Sequence, residues 1–297
     1  TWVVCTSLSV LTSEHVKFFK KHTINISSSL DGPPDIHDKI RMIKTRDSHL
    51  RVENGINLIK ENWSLDHLSA LMTTTLSSFN RVKDIVDEYV RLGLRDVFLR
   101  PISPYGFARK NKDSKYEMAK FLDFYKNGVN YIIELNKKGI QVREYYTIVL
   151  LKGLFTPHKE NYVDLMSPIG GGRICAVYDY DGYVYISDEA RMLAQNADFS
   201  FRLGHISEGI QTLIKSDRNK LIQSVGLSDV HHACSSCVYR NACGSDPLFH
   251  YASQGDSYGN MANSAFCQRN MASLDFLVEM SHQRPDDFEI IKSWISK

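Results

Sequence analysis

Residues 23–41, TINISSSLDGPPDIHDKIR, decide the fold class because a strand pattern ends within them at a group of polar side chains. Residues 23–30 form a β-branched and apolar run typical of a strand. Serine hydroxyls and the carboxylate of Asp31 then meet at a Gly-Pro turn, a combination suited to holding a ribose. Serine and aspartate before Gly-Pro are also ordinary turn formers, so the residues alone leave both interpretations open.

The first half of the chain repeats this strand pattern, each time with a longer amphipathic stretch after it. Strand-like runs lie at residues 2–4, 23–30, 68–76 and 97–102, and helical spacing lies at residues 14–21, 52–62, 81–92 and 117–138. This alternation predicts an α/β fold in which helices pack outside parallel strands. A doubly wound sheet would satisfy the pattern. We favour a partial barrel because polar residues and glycine collect directly after the strands, where barrel enzymes keep their chemistry.

Composition excludes several classes of protein. The 297 residues are 43% hydrophobic and 24% charged, enough apolar content for a sizeable core in one large or two ordinary domains. The net charge is +2 with both signs interspersed, which argues against a dedicated nucleic-acid-binding protein. No apolar run approaches the roughly 20 residues that span a bilayer, so we expect a soluble, cytoplasmic protein without membrane association.

Four of the six cysteines fall in the last quarter of the chain, as Cys234-x2-Cys237-x5-Cys243 and then Cys267. Thiolates are soft donors, and a C-x2-C pair lets two sulfurs from one tight turn reach a single iron or zinc. Buried thiols or disulfides are the alternative. It is disfavoured because cysteine is otherwise scarce here and no secretory signal precedes these residues.

The polar segment of residues 29–41, with its pattern SLDGP, HD and Arg, resembles the fourth strand of the radical S-adenosylmethionine (SAM) barrel. In that superfamily the segment contacts the ribose and amino-acid end of the cofactor. The resemblance implies that Ser29 and Asp31 bind S-adenosylmethionine. Arg41 and Arg100 are candidates to pair with its carboxylate, because guanidinium groups suit that geometry; a purely structural ion pair is the alternative.

The second half is similar to the SPASM extension of peptide-modifying radical SAM enzymes. The resemblance rests on Gly182 with the residues after it, on the Leu-Gly-His-Ile segment at 203–206, and on the cysteines. It implies that Cys234, Cys237, Cys243 and Cys267 hold one auxiliary [4Fe-4S] cluster. A neighbouring auxiliary cluster is in doubt because Ser187 and Pro247 stand where the family has ligands. We interpret Cys175 as a free thiol or a substrate-channel residue.

Two longer strings, YDGYVYISDEARML at 180–193 and CGSDPLFHYASQGD at 243–256, look most like the radical SAM maturase of His-Xaa-Ser peptide systems. The C-x3-C-x2-C loop that defines the superfamily is absent from the sequence of residues 1–297, and so is the Gly-Gly-Glu segment of that superfamily. We therefore expect about four of six barrel units, an N-terminally truncated chain, and inactivity of this chain alone. Residues 2–5 are expected to be a buried strand.

The resemblance also implies a mechanism for the intact parent. A second [4Fe-4S] cluster cleaves S-adenosylmethionine to a radical that abstracts hydrogen from a peptide or protein substrate. Asp188 is the candidate proton acceptor, with a surface aspartate as the alternative and Glu189 and Asp179 nearby. A companion maturase and an electron donor are expected partners. The auxiliary cluster would relay electrons or stabilise the fold, since four thiolates leave no open position.

The remaining features give the predicted domain organisation and the alternative functions. Gly170, Gly171 and Gly172 lack the Lys-Ser or Lys-Thr of a phosphate loop and are interpreted as a hinge. We therefore expect a partial barrel at 1–168 and an iron-sulfur domain at 169–297. The flanking histidines, His231, His232 and His250, are expected to surround the metal without binding it. The alternatives are a non-catalytic peptide-binding module that bears zinc or a cluster, or a sulfatase-type or thioether-forming maturase.

Overall fold

The computed structural model describes residues 1–106, 116–156 and 162–295. Contacts divide the chain into two compact units. The first contains the described parts of residues 1–102, 119–148 and 284–297, and the second contains those of residues 103–118 and 149–283. The domain boundary predicted at residue 168 was placed from sequence features, whereas these two units are defined by contacts. The predicted boundary therefore stays a prediction. No helix among the described residues is long and apolar enough to cross a membrane.

The first unit alternates strands and helices, as the sequence pattern predicts. Its strands are β1 (Trp2–Cys5), β2 (Ile24–Ser29), β3 (Leu68–Leu71), β4 (Asp96–Val97) and β5 (Arg143–Glu144). Its helices are α1 (Ser13–His22), α2 (Pro34–Ile40), α3 (Ser48–Asn62), α4 (Val82–Arg91), α5 (Met118–Lys137) and, after the second unit, α13 (Pro285–Ser293); α6 (Tyr145–Phe155) begins in the first unit and ends in the second.

All five strands of the first unit run parallel and follow chain order. β2 pairs with β1 on one side and β3 on the other, and β4 pairs with β5. A single parallel bridge between Leu71 and Phe98 joins the two groups. Sequential parallel strands with intervening helices confirm the α/β class, because each crossover needs a helix to return the chain to the same sheet end.

The expectation that residues 2–5 form a buried strand is wrong. Trp2 and Val3 are 65% and 57% exposed. In the part of the chain that the structure describes, β1 pairs only with β2 and is an edge strand. An apolar run predicts a strand, but its burial depends on neighbours that its own residues do not specify.

The core of the first unit forms between the strands and the apolar faces of the helices. The apolar face of α5 faces this core, because Phe121, Phe124, Val129, Ile132 and Ile133 are all buried. Gly128 allows α5 to pack closely, since an added Cβ would lie 2.3 Å from Leu99 Cδ1. At the centre of the unit the buried Tyr89 hydroxyl donates a 2.7 Å hydrogen bond to the Leu30 carbonyl.

The second unit contains a small antiparallel sheet and mainly short helices. Its strands are β6 (Val177–Tyr178), β7 (Tyr183–Tyr185) and β8 (Arg202–His205). Its helices are α7 (Asp188–Ala194), α8 (Ile210–Ile214), α9 (Asp217–Val225), α10 (His232–Ser235), α11 (Pro247–Gln254) and α12 (Ala265–Gln283). A core cluster that includes Val184, Ile186, Leu193 and Leu248 lies between them.

The glycine triplet at 170–172 is packed inside the second unit and is not a hinge. A Cβ on Gly171 would lie 3.0 Å from the Ile186 carbonyl oxygen, and one on Gly172 would lie 2.3 Å from Asn219 Oδ1. Gly172 also has a φ of 70°, which side chains disfavour. The triplet therefore allows close packing of backbone, a use of glycine that is hard to distinguish from flexibility in the sequence.

We predict that Gly55→Ala destabilises the protein although Gly55 lies within α3. Alanine normally stabilises a helix interior by up to about 1 kcal/mol relative to glycine. Here the new Cβ would lie 2.6 Å from Leu8 Cβ, an atom fixed to the backbone. Overpacking of this kind costs about 1–3 kcal/mol, so the free energy of unfolding should fall.

Denaturant unfolding followed by circular dichroism measures this change. Asn57→Ala is the matched control, because Asn57 is an exposed residue of the same helix. It should leave stability unchanged or slightly increased. Equal stability of the two variants would contradict the close packing of Gly55 against Leu8.

Candidate functional site

Asp31 lies directly after β2 and joins the carboxyl ends of two strands. Its Oδ1 accepts a 2.8 Å hydrogen bond from the backbone N–H of Thr73, which follows β3. Its Oδ2 accepts a 2.8 Å hydrogen bond from Arg41 Nε. The carboxyl group is fully buried, whereas the Arg41 side chain is 40% exposed. A buried carboxylate needs such donors, so Asp31 has a structural role whatever it binds.

The two residues of the HD pattern also have structural partners. His37 Nδ1 accepts the backbone N–H of Asp31 at 3.1 Å, and burial lowers the pKa of this histidine. Asp38 Oδ1 accepts the Ser48 hydroxyl and the backbone N–H of His49, each at 2.7 Å. Asp38 thus caps the first turn of α3. This role cannot be recognised from α2, the helix that contains Asp38.

The four predicted cofactor-binding residues lie at the end of β2, after β2, after α2 and after β4. Ser29 ends β2, and Arg41 reaches back from the end of α2 to Asp31. Beyond β4, the carbonyl of Arg100 accepts the backbone N–H of Thr74 at 2.9 Å. The structure therefore pairs Arg41 with Asp31 and connects the segments after β2, β3 and β4. Binding of S-adenosylmethionine by these residues stays a prediction.

We predict that Asp31→Ala costs about 2–3 kcal/mol of unfolding free energy. The change leaves the Thr73 N–H and the Arg41 guanidinium without their buried acceptor. We place the value below that of a fully buried pair because Arg41 is partly exposed.

Asp35→Ala provides the comparison for Asp31→Ala. Asp35 pairs with Arg81 at 2.9 Å, but its side chain is 60% exposed. Exposed ion pairs contribute about 0–1 kcal/mol. Urea unfolding of both variants should give the larger loss for Asp31→Ala, and similar losses would show that the Asp31 network contributes little.

Glu144 is a second buried carboxylate at a strand end, and the sequence pattern did not identify it. It ends β5, accepts the Leu99 N–H at 3.1 Å, and accepts the N–H and hydroxyl of Thr147 at 2.6 and 2.8 Å. The Tyr125 hydroxyl lies 2.7 Å from the Thr147 hydroxyl. Burial raises the pKa of Glu144 to about 7, and the hydrogen bonds to it oppose this rise. β5 has only two residues, Glu144 among them, and a strand this short gives no hydrophobic periodicity in the sequence.

We predict that Glu144 makes the stability of the protein decrease between pH 5 and 7. The folded pKa lies above the ordinary value of 4.5, so the folded state retains a proton that the unfolded state has lost. The free energy of unfolding should therefore fall with pH by up to about 1.4 kcal/mol per unit in this range.

Unfolding curves of wild type and Glu144→Gln at pH 5, 6 and 7 measure this slope. The variant has no titrating group at this position, so its stability should change less with pH than that of wild type. Glu134→Gln, on the exposed side of α5, is the control and should retain the wild-type slope. Parallel curves for all three proteins would contradict the raised pKa.

The four cysteines of the predicted metal site lie in the second unit as free thiols. Burial is the main cause that raises the pKa of Cys234 to about 11, and neighbouring Cys267 and Cys237 contribute to this rise. The pKa of Cys243 is also raised to about 11, chiefly by burial; hydrogen bonds with Gly244 and Asn270 oppose the rise, and Cys267 and Cys234 add to it. Each thiol therefore lies within electrostatic reach of others, as a shared site requires.

The placement of these thiols does not form a complete coordination group. Among the residues that the structure describes, no three His, Cys, Asp or Glu side chains are arranged to hold a metal ion. The donor chemistry nevertheless fits a soft metal, because four thiols and no disulfide are present. Metal binding commonly completes local folding of such sites.

The histidines near the cysteines have structural surroundings. His250 is fully buried, its Nε2 lies 3.0 Å from the Ser264 hydroxyl, and burial lowers its pKa to about 4. Ser264 precedes α12, and its hydroxyl accepts the Cys267 N–H at 3.5 Å. His231 is also buried, with Nε2 2.8 Å from the Val225 carbonyl, whereas His232 is exposed. His250 thus supports the turn that carries Cys267.

The two positions that lack expected cysteine ligands both begin helices. Ser187 precedes α7, and its hydroxyl accepts the Ala190 N–H at 3.3 Å. Pro247 is the first residue of α11, and Asp246 before it accepts two backbone N–H groups at 3.0 Å. Both are favoured residue types for a helix start.

Asp188 and Cys175 lie near this region. Asp188 begins α7 and pairs with Arg191 at 2.8 Å, with its side chain 37% exposed. Its carboxylate is therefore accessible and held in place, and its role as a base stays a prediction. Cys175 donates to the Ile186 carbonyl at 3.6 Å, and burial raises its pKa to about 11. It is a protonated, weakly nucleophilic thiol.

Comparison with known proteins connects this fold to a class of enzymes. No protein-family model and no curated protein sequence matches the chain. Solved structures of anSMEcpe do match. The histidine-tagged form with bound AdoMet has a TM-score of 0.76 and 17% identity, covering 98% of this chain and 72% of that chain. The native form with AdoMet and Kp18Cys peptide has a TM-score of 0.74 and 17% identity, covering 98% and 75%.

These structures are of an anaerobic sulfatase-maturating radical SAM enzyme. The chain therefore has a mixed α/β fold similar to that of a radical SAM enzyme over nearly its whole length. At 17% identity the likeness establishes the fold alone. The broad resemblance drawn from residues 29–41 is thus supported at the level of fold, whereas the resemblance to His-Xaa-Ser systems stays a prediction.

Proposed function

We propose that the chain is the C-terminal part of a radical SAM maturase that modifies a ribosomally made peptide by hydrogen abstraction. The observation that carries this proposal is the structural match over 98% of the chain to anSMEcpe, which is solved with AdoMet and with peptides. A His-Xaa-Ser repeat peptide is the proposed substrate, on the strength of the two sequence strings at 180–193 and 243–256.

In this proposal the first unit binds S-adenosylmethionine along the carboxyl ends of its strands. The buried Asp31 carboxylate fixes the guanidinium of Arg41, whose side chain remains 40% exposed. A fixed and partly exposed guanidinium suits recognition of a carboxylate. Ser29, the last residue of β2, and Arg100, which follows β4, complete the proposed site. Bound S-adenosylmethionine supplies the radical, and Asp188 is the proposed proton acceptor.

In the second unit, Cys234, Cys237, Cys243 and Cys267 are the proposed ligands of one auxiliary [4Fe-4S] cluster. Four thiolates leave no open position, so electron transfer or stabilisation suits such a centre better than binding of substrate. The two remaining cysteines, Cys5 and Cys175, cannot supply the three ligands of a SAM-cleaving cluster. We therefore propose that S-adenosylmethionine cleavage belongs to the intact parent, together with a companion maturase and an electron donor.

Anaerobic reconstitution with iron and sulfide tests the metal assignment. We expect about four irons and four sulfides per wild-type chain, with loss of the cluster in Cys267→Ser. Cys175→Ser should retain wild-type iron, because Cys175 bonds to a carbonyl away from the proposed set. Stoichiometric zinc without iron would instead favour a zinc-bearing binding module.

The substrate proposal is tested separately by mass spectrometry. The intact parent, with its C-x3-C-x2-C loop, would be co-expressed with a His-Xaa-Ser repeat peptide and with a sulfatase-derived peptide. A mass change in the His-Xaa-Ser peptide alone supports the proposal. A change confined to the second would support a sulfatase-type maturase, the alternative favoured by the structural match to anSMEcpe.

A further inference from the structure

One face of α12 carries two groups directed at the cysteine cluster. Cys267, Asn270 and Met271 are spaced i, i+3 and i+4, so they share a side of the helix. Cys267 Sγ lies 3.7 Å from Met271 Sδ. One turn further along, Asn270 Nδ2 lies 3.5 Å from Sγ of Cys243. A single helix thus supplies one thiol and the donor to another.

The orientation of the Asn270 amide is set by its neighbours. Asn270 is fully buried, and Arg269 Nε donates to its Oδ1 at 3.2 Å. The Arg269 guanidinium lies over the Phe266 ring, 5.1 Å from its centroid, which fixes it. Because arginine only donates, the amide oxygen must face Arg269, and the NH2 group must face the sulfur.

Burying an amide that faces a sulfur atom has a cost in free energy. Removing an amide from water costs free energy unless hydrogen bonds replace those lost, and a neutral thiol is a weak acceptor. A metal-bound thiolate carries negative charge and is a much better acceptor for the same N–H. A charged sulfur would therefore be a stronger partner for this N–H than a free thiol.

We propose that Asn270 is a positioning residue for the metal centre, which orients Cys243 and raises the reduction potential of the bound cluster. This inference rests on the proposed function, in which the four cysteines bind iron and sulfide. An N–H donor stabilises the added negative charge of the reduced cluster, so hydrogen bonds to the ligand sulfurs favour reduction.

The test compares Asn270→Leu with Ser273→Ala in the full chain. Asn270→Leu keeps the approximate size of the side chain but removes the donor. Ser273 is buried on the same helix, and its hydroxyl has no hydrogen-bond partner in the described chain, which makes Ser273→Ala a matched control. Cobalt(II) titration under anaerobic conditions gives the affinity, and a potentiometric titration of the reconstituted cluster gives the reduction potential.

We expect Asn270→Leu to weaken cobalt binding roughly tenfold or more and to shift the reduction potential to more negative values. Ser273→Ala should match wild type in both measurements. Asn270→Ala also removes the donor and adds no charge beside the sulfur, so it should show the same loss. It decides the outcome where circular dichroism shows that the leucine variant is unfolded.

Two failures can be distinguished. If wild type binds cobalt and iron but both Asn270 variants keep its affinity and potential, Asn270 is merely structural and the inference is overturned, while the proposed cluster stands. If wild type binds neither metal through its thiols, the proposed cluster fails, and the inference fails with it.

Discussion

The buried carboxylate of Asp31 sets the arrangement of the strand ends in the first unit. It must accept donors because it is removed from water, and it takes them from the Thr73 backbone and from Arg41. The segment after β3 is thereby held beside the end of β2, and Arg41 is held with part of its guanidinium exposed. Glu144 plays the same part between the Leu99 N–H and the start of α6. Buried carboxyl groups in the first unit thus position backbone where binding residues are expected.

Sequence periodicity predicted most of the first unit, and it failed where local chemistry overrides periodicity. The run at 68–76 continues as β-branched residues, but β3 ends at Leu71. Beyond it, the N–H of Thr73 bonds to Asp31, that of Thr74 to the Arg100 carbonyl, and that of Thr75 to the Ser78 hydroxyl. These partners take the place of a sheet neighbour. α2 went unpredicted because Gly-Pro-Pro indicates a turn, although proline is also favoured in a first helical turn.

Residues of a candidate site could be proposed from the sequence, but their tertiary contacts could not. The cysteine spacing indicates a soft metal, and no pattern in the sequence indicates Asn270, since a single asparagine within a helix has no distinctive neighbours. Likewise, Asp38 matches a motif by its position, yet its contacts are with the start of α3. Roles of this kind depend on tertiary partners far along the chain, which periodicity and spacing do not contain.

The helix starts at Ser187 and Pro247 explain how a chain can lack expected ligands without losing its local structure. Each residue lowers the number of backbone N–H groups that lack a partner at the start of its helix. A cysteine at either position would leave such an N–H group in need of another partner. Serine caps α7 with its hydroxyl, and proline has no N–H to satisfy at the first position of α11. These two turns are therefore ordered by helix capping and backbone geometry. By contrast, Cys243 has the buried Asn270 amide directed at its sulfur, and the Ser264 hydroxyl accepts the backbone N–H of Cys267. In the second unit, polar groups thus support thiols at some positions and helix starts at others.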